Sequence, residues 1–157
     1  MEAMERLKAF KKRQNNEWKK RKSEIKNQLK TKKDWLKDLQ KEFNSWVRNR
    51  DAGKQCISCD KLLRKGMKFD AGHFFPVGGY PNLRFTPANV HGQCVECNQH
   101  KHGNLHEYRK KLIERIGSNE LERLERQKND SMKLTLDEIK DLLSIYKRLN
   151  KEFKKNE

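Results

Sequence analysis

Two Cys-x-x-Cys pairs, "CISC" at Cys56 and Cys59 and "CVEC" at Cys94 and Cys97, constrain this chain more than any other feature. Each pair places two thiols on one tight turn, and two such turns can set four thiolates tetrahedrally around Zn²⁺. A closed four-cysteine site leaves no coordination position for a substrate, so the ion expected here is one structural zinc. Redox-active thiols are the other use of such pairs in a reducing compartment. With the ion in place, the 34 residues from 60 to 93 are looped out of the metal, which is long for the tip of a zinc ribbon.

The chain needs such a staple. Of its 157 residues only 33% are hydrophobic and 38% are charged, which is little material for one large core. No run approaches the roughly 18 apolar residues of a membrane span, and no apolar leader suggests export, so a soluble protein of a reducing cytoplasm is expected, with no membrane partner. The net charge of +16 calls for an anionic partner. Residues 1–50 carry 17 Lys and Arg against 7 Asp and Glu, so the basic character sits at the N-terminal end. Nucleic acid fits this better than an anionic membrane, because apolar residues are too sparse in the first 30 positions for a strong amphipathic anchor.

Local patterns divide the chain. Residues 1–30 lack Pro and Gly and read as a basic helical arm. Thr31 with Asp34 forms an approximate capping box, so a fresh helix is predicted from Lys32 to about Arg50, and residues 31–55 lead into the core. Apolar residues at 18, 25, 29, 36, 39, 43 and 46 follow a coiled-coil spacing interrupted at Lys32, a stripe that fits either a homodimer or a helix packed on its own domain. Residues 56–105 form the zinc-stabilised core. Within them "GMKFDAGHFF" and "NLRFTP" read as short strands joined by "PVGGYP", and a helix is expected directly after Cys97. Residues 106–157 are predicted to be helical: "NLHEYRKKLIERIG" ends at Gly117, "SNELERLERQ" is capped by Ser118, and Thr135 with Glu138 boxes the last helix.

The looped segment carries His73 in "FDAGHFF", with Asp70 before it and Asn98 directly after the last cysteine. A lone histidine in an apolar stretch is usually a packing residue; these neighbours suggest chemistry. The combination of Cys-x-x-Cys, a strand bearing His, an intervening Asn89 and "CVECN" running to Lys101 resembles the ββα-metal, or HNH, nuclease motif built around a structural zinc. "RDAGKQCISC", "DAGHFF", "PNLRF", "NVHGQCVECNQHKHGN" and "YRKKLIERIG" are similar, in the same order, to stretches of the phage NinG/Rap recombination endonuclease family, over about residues 31–150. The fold so implied is mainly α with a small β-hairpin: an HNH-like core flanked by long N- and C-terminal helices.

The function implied is a metal-dependent DNA endonuclease selective for branched recombination intermediates such as D-loops and Holliday-type junctions. His73 takes the place of the base that activates water, and Asn89 that of the residue tying the loop beneath it. Asn98 is the expected ligand of a catalytic Mg²⁺ or Mn²⁺, a hard ion suited to oxygen donors and phosphate. The start of the helix near Asn98 offers N–H groups to an anion. Asp70 is either a further ligand or a group orienting one. In many HNH proteins an acid directly precedes the histidine, whereas Gly72 stands there, and residues three apart on a strand face opposite sides unless a bulge intervenes. "DAGH" also resembles the Asp-Arg-Gly-His signature of nonspecific ββα nucleases, in which the asparagine is the direct ligand. His102 shares a helical face with Asn98 and is a candidate second ligand or a solvated residue; His91 and His100 have no assigned part. Arg84 and Lys101 either grip phosphate or are surface charge. Phe74, Phe75, Tyr80 and Phe85 either wedge into distorted DNA or form the small core behind the hairpin. The rival readings are a non-catalytic zinc-containing DNA-binding or recombination accessory protein, and an RNA-binding adaptor.

Overall fold

The computed structural model describes residues 2–131 and 133–155, which fall into two compact units, Met1–Trp35 and Leu36–Glu157. The first unit contains α1 (Glu2–Gln28) and the start of α2 (Lys32–Asp51). The break between the helices is set locally. Thr31 Oγ1 and its N–H both donate to Asp34 Oδ2, while the Asp34 N–H donates back to Thr31 Oγ1, a reciprocal cap that starts α2 afresh. Met4, Leu7, Trp18, Ile25 and Leu29 are exposed, whereas Leu39, Phe43 and Val47 of α2 are fully buried. The seven-residue stripe read from sequence is thus two stripes with different fates.

In the second unit α2 packs by its apolar face on α5 (Leu136–Lys155): Phe43 meets Tyr146 edge-on at 4.9 Å and Phe85 at 5.6 Å. Asn150 of α5 ties the same contact through hydrogen bonds to the Glu42 carbonyl and from Asn49. Thr135 and Glu138 make the second reciprocal cap and start α5. A further core cluster joins Ile57 to Tyr108 and Leu112 of α3 (Leu105–Ile116) and Leu121 of α4 (Ser118–Gln127). Each fully buried side chain of this kind contributes about 1.5–3 kcal/mol relative to exposure.

The sheet has two antiparallel strands, β1 (Phe69–His73) and β2 (Val90–Cys94), in unbroken register from Phe69↔Cys94 to His73↔Val90. The second strand is therefore "VHGQC" and not "NLRFTP". Pro81 and Pro87 each open a short 3₁₀ turn, Pro81–Leu83 and Pro87–Asn89, because proline supplies no N–H to a ladder and fixes φ near the helical value. No bulge occurs at Gly72. Glycine fits there because an added Cβ would run into the Gln93 side chain that crosses it from β2, which would have to move.

Two further expectations are corrected. Cys97 lies inside a single π-helical turn, Glu96–His100, and the α-helix begins only at Leu105. A five-residue turn of this kind offers no extended set of free N–H groups to an anion. Ser118 is not the cap of α4: Gly117 occupies that position with φ +81°, closing α3 and opening α4 without a side-chain hydrogen bond. Left-handed backbone of this kind favours glycine.

One buried carboxylate fastens α2 to the sheet. Asp51, fully buried, accepts from Arg50 Nε at 2.9 Å and Nη2 at 2.7 Å, from Lys54 Nζ at 3.0 Å and from the Gly92 N–H at 2.8 Å. Burial by itself would raise its pKa, but these donors outweigh burial and hold the carboxyl far below the usual range.

Candidate functional site

The first knuckle is a small hairpin. Cys56 N–H donates to the Lys61 carbonyl at 2.9 Å and Leu63 N–H to the Lys54 carbonyl at 2.8 Å, which fold Cys56 and Cys59 towards β2. Cys94 ends β2 and Cys97 lies in the π turn, so the four sulfurs meet within 4.8 Å of one another. Cys59 Sγ and Cys94 Sγ are 3.8 Å apart. A tetrahedron of Zn–S bonds of about 2.3 Å spaces its sulfurs by about 3.8 Å, so the four side chains fit a metal ion such as zinc. The sulfurs are also oriented: the Cys94 N–H points at Cys56 Sγ at 3.3 Å, and Asn104 Nδ2 lies 3.9 Å from Cys97 Sγ. Burial pushes the Cys97 and Cys56 thiols above their ordinary pKa, and a bound cation would offset that cost by favouring their thiolates.

The knuckles anchor the two ends of the segment that carries His73. A cavity of about 370 Å³ is lined by Ala71 and His73 of β1, by Pro76 and Val77 after it, and by Asn98, His102, Gly103 and Leu105 from beyond the second knuckle. Residues 73 and 98, far apart in sequence, thus address one space. His73 Nε2 lies 2.9 Å from the Arg84 carbonyl oxygen. A carbonyl can only accept, so the neutral ring carries its proton on Nε2 and keeps Nδ1 as the basic nitrogen. Burial lowers the His73 pKa below its ordinary 6.5, opposed by the carbonyls of Arg84 and Ala71. At neutral pH the ring is a proton acceptor.

Asp70 lies on the alternate face of β1 and is absent from the cavity wall. Its Oδ2 accepts from Asn98 Nδ2 at 2.9 Å and from Gln99 Nε2 at 2.8 Å. Because a carboxylate accepts, Asn98 must present its amide nitrogen to Asp70, which leaves the amide oxygen as the group available to a cation.

Asn89 is fully buried and its amide is fully used: Oδ1 accepts from the Phe75 N–H at 2.8 Å, and Nδ2 donates to the carbonyls of Phe75 and Leu83, each at 3.1 Å. Its own carbonyl accepts from the Phe74 N–H at 2.9 Å. It closes the loop that follows His73. The other histidines separate cleanly. His91, buried with its Nδ1 3.4 Å from the Tyr108 hydroxyl, is held neutral chiefly by burial, with its pKa lowered to about 3. His100 is exposed and outside the cavity wall. His102 lines the cavity not through helical spacing but because residues 102, 103 and 104 run through left-handed backbone, at φ of +49°, +88° and +43°. Two of the three are not glycine, a strained arrangement of the sort that clusters at functional sites.

Neither basic residue singled out from sequence lines the cavity. Arg84 Nε donates to Gln40 Oε1 at 2.5 Å, and the guanidinium lies against the Phe85 ring; what Arg84 gives the site is its carbonyl. Lys101 pairs with Glu96 at 2.8 Å on the surface. Of the aromatics, Phe85 is buried against α2, and Phe74 packs on Tyr108 at 5.5 Å. Phe75 and Tyr80 stay partly exposed. Three supporting groups carry no signal in the sequence pattern. Tyr108 hydroxyl donates to the Gly72 carbonyl at 2.9 Å, Gln93 Nε2 donates to the Gly103 carbonyl at 2.6 Å, and Asp51 holds Gly92. Each acts over 10 or more residues of sequence, and all three act on backbone groups, which no side-chain pattern marks.

The family model described as "Bacteriophage Lambda NinG protein" matches residues 1–157. The chain is 39% identical over 126 residues to Protein ninG of Escherichia phage lambda, covering 80% of this chain and 60% of that protein. It is 39% identical over 126 residues to Protein ninG of Salmonella phage P22, with 80% and 61% covered. With Protein ninG of Enterobacteria phage H19B it shares 43% over 101 residues, 64% of this chain and 49% of that one. The chain thus spans about three fifths or less of the length of these relatives. No solved structure matches it at a significant level.

Proposed function

The chain belongs to the bacteriophage NinG family, and from that premise and the geometry of its cavity we propose that it is a metal-dependent DNA endonuclease of the HNH type, acting on branched recombination intermediates. The observation that carries the reading is the cavity lined by both His73 and Asn98, with His73 Nε2 held by the Arg84 carbonyl and Asn98 Nδ2 by Asp70. The four-cysteine ion is read as a structural zinc. It would join the first knuckle to the end of β2 and to the turn that leads to Asn98, and so supply rigidity that the small core cannot.

His73 takes a proton from a water molecule as the water oxygen attacks phosphorus; the bond from phosphorus to the 3′ oxygen breaks and that oxygen takes a proton from solvent water, leaving 5′-phosphate and 3′-hydroxyl ends. The Arg84 carbonyl accepting from Nε2–H fixes the ring and stabilises the imidazolium that forms. Asn98 would hold Mg²⁺ or Mn²⁺ through its amide oxygen, with Asp70 orienting the amide and His102 within the same cavity. The ion supplies positive charge to the phosphoryl group and the departing oxygen. The basic residues of α1 and α2 contact backbone phosphate, a sequence-independent attraction that weakens with salt. Opposed cuts on a four-way junction would need two copies of the chain.

The test is cleavage mapping on linear, forked and four-way DNA, with and without Mg²⁺ or Mn²⁺. Metal-dependent cutting near the branch, lost in His73→Ala and in Asn98→Ala while binding persists, supports the enzyme. Tight binding with no cutting by the wild type on any substrate overturns it in favour of a DNA-binding accessory protein.

A further inference from the structure

Beside the His73 cavity lies a second, more apolar one of about 460 Å³, walled by Phe74, Phe75, Pro76, Tyr80, Leu105, His106 and Arg109. The two share Pro76 and Leu105. We infer that this second cavity is a stacking subsite for one unpaired nucleobase next to the scissile phosphate, and that it, rather than the basic arm, selects branched over plain duplex DNA. The inference rests on the reading of the neighbouring cavity as the place where a DNA phosphodiester is cut.

Four observations point to a nucleobase. First, the rings are arranged as an open aromatic corner: Phe75 is 4.8 Å from Phe74 and 5.1 Å from Tyr80, meeting both at steep angles of 67° and 66°. Second, only the inner member is used by the core. Phe74 packs against the buried cluster of Ile57 and Tyr108, which Phe75 and Tyr80 do not join, and all three rings are only partly buried. Leu105 is 47% exposed at the head of α3, an apolar side chain presented to solvent at the border of the two cavities. Third, cations rim the corner. Arg109, braced by Glu125, forms part of the wall, and Lys128 Nζ stands 5.7 Å from the Phe75 centroid. A flat π surface beside positive charge suits a base and its attached phosphate. Fourth, the corner is built on the loop that Asn89 clamps, so its position relative to His73 is fixed by buried hydrogen bonds.

Selectivity follows from access. In a continuous duplex every base is stacked and paired, and placing one in the corner requires unpairing it. At a fork, flap or junction the base is already unstacked, so the corner is filled without that penalty.

The test measures binding with Ca²⁺ replacing Mg²⁺, so that cutting does not intervene. Forked DNA carries 2-aminopurine at the unpaired position adjoining the mapped branch, beside a fully paired control. Wild type is expected to quench the probe. Phe75→Ala, and Phe75→Leu as the variant that keeps an apolar side chain without a ring, are expected to abolish the quench and weaken fork binding about 5- to 150-fold. Duplex binding should stay within about 2-fold and Tyr80→Phe should behave as wild type. Equal weakening on fork and duplex, or fork binding and quench unchanged in both Phe75 variants, overturns the inference. Because the readout is stacking, a wild type that stacks but never cuts sinks the nuclease reading alone, and one that cuts without stacking sinks this one alone.

Discussion

Replacing Asp51 with asparagine keeps the shape of the side chain and removes its charge, at a point where four donors converge from Arg50, Lys54 and the Gly92 backbone. Asparagine can still accept from Gly92 and Arg50 Nη2, but its amide nitrogen then faces both Arg50 Nε and Lys54 Nζ, donor against donor. Breaking a buried charged pair by removing one partner is worth about 3–5 kcal/mol. Arg50 retains the carbonyls of Pro87 and Val90 as acceptors, and Lys54 is half exposed, so the loss belongs at the lower end, about 3 kcal/mol. That is a large fraction of the 5–15 kcal/mol of an ordinary domain. Urea denaturation of the metal-loaded protein at pH 7, followed by near-ultraviolet circular dichroism, reads it directly. With unchanged slope, the midpoint should fall by about 1–3 M. A change below about 0.5 kcal/mol would show that the carboxylate is not a staple between α2 and β2, and would remove the reason given for the position of the sheet.

Three further outcomes follow from the same geometry. Chelation of the metal should release both knuckles and cause cooperative loss of tertiary signal, restored by Zn²⁺; a chelated protein with native spectra would contradict a structural ion. His91 should make stability fall with pH: above about 6.5 neither state carries the proton, and below it the unfolded ring takes one that the buried ring refuses until about pH 3. His91→Gln should flatten that dependence between pH 6.5 and 5, whereas an unchanged slope would assign it elsewhere. Gly72→Ala should destabilise by about 1–3 kcal/mol, since Gln93 must leave its place and give up its bonds to Ser58 and Gly103, and a crystal structure of the variant should show Gln93 displaced.

What could be read from sequence was what is local or spaced by a metal. The reciprocal caps at Thr31–Asp34 and Thr135–Glu138 span three residues each, and the cysteine spacing states the ligand set outright. The second strand was hidden because its inward residues, His91 and Gln93, are polar; they look like loop residues until Tyr108, Ser58 and Gly103 supply their partners. "NLRFTP" looked like a strand because Leu83 and Phe85 are apolar, and both are indeed buried, but from turns that the prolines impose. Arg84 drew attention for its charge, while its side chain serves Gln40, 44 residues away, and its carbonyl serves His73. No side-chain pattern announces a carbonyl. The strained run at 102–104 is likewise held by the Gly103 N–H on the Cys97 carbonyl and by Asn104 on the Ser58 carbonyl of the other knuckle.

The measurement that bears most directly on the central claim is single-turnover cleavage of a four-way junction as a function of pH, by the wild type and His73→Ala, with imidazole added to the variant. The wild-type rate should rise with unit slope through an apparent pKa below 6.5 and level off at neutral pH, because the buried ring works as a base only when unprotonated. His73→Ala should be slower by about 10²- to 10⁴-fold at unchanged junction affinity, with part of the loss restored by free imidazole. A variant that cuts as fast as the wild type, or keeps the same acid limb, would contradict the assignment of the cavity.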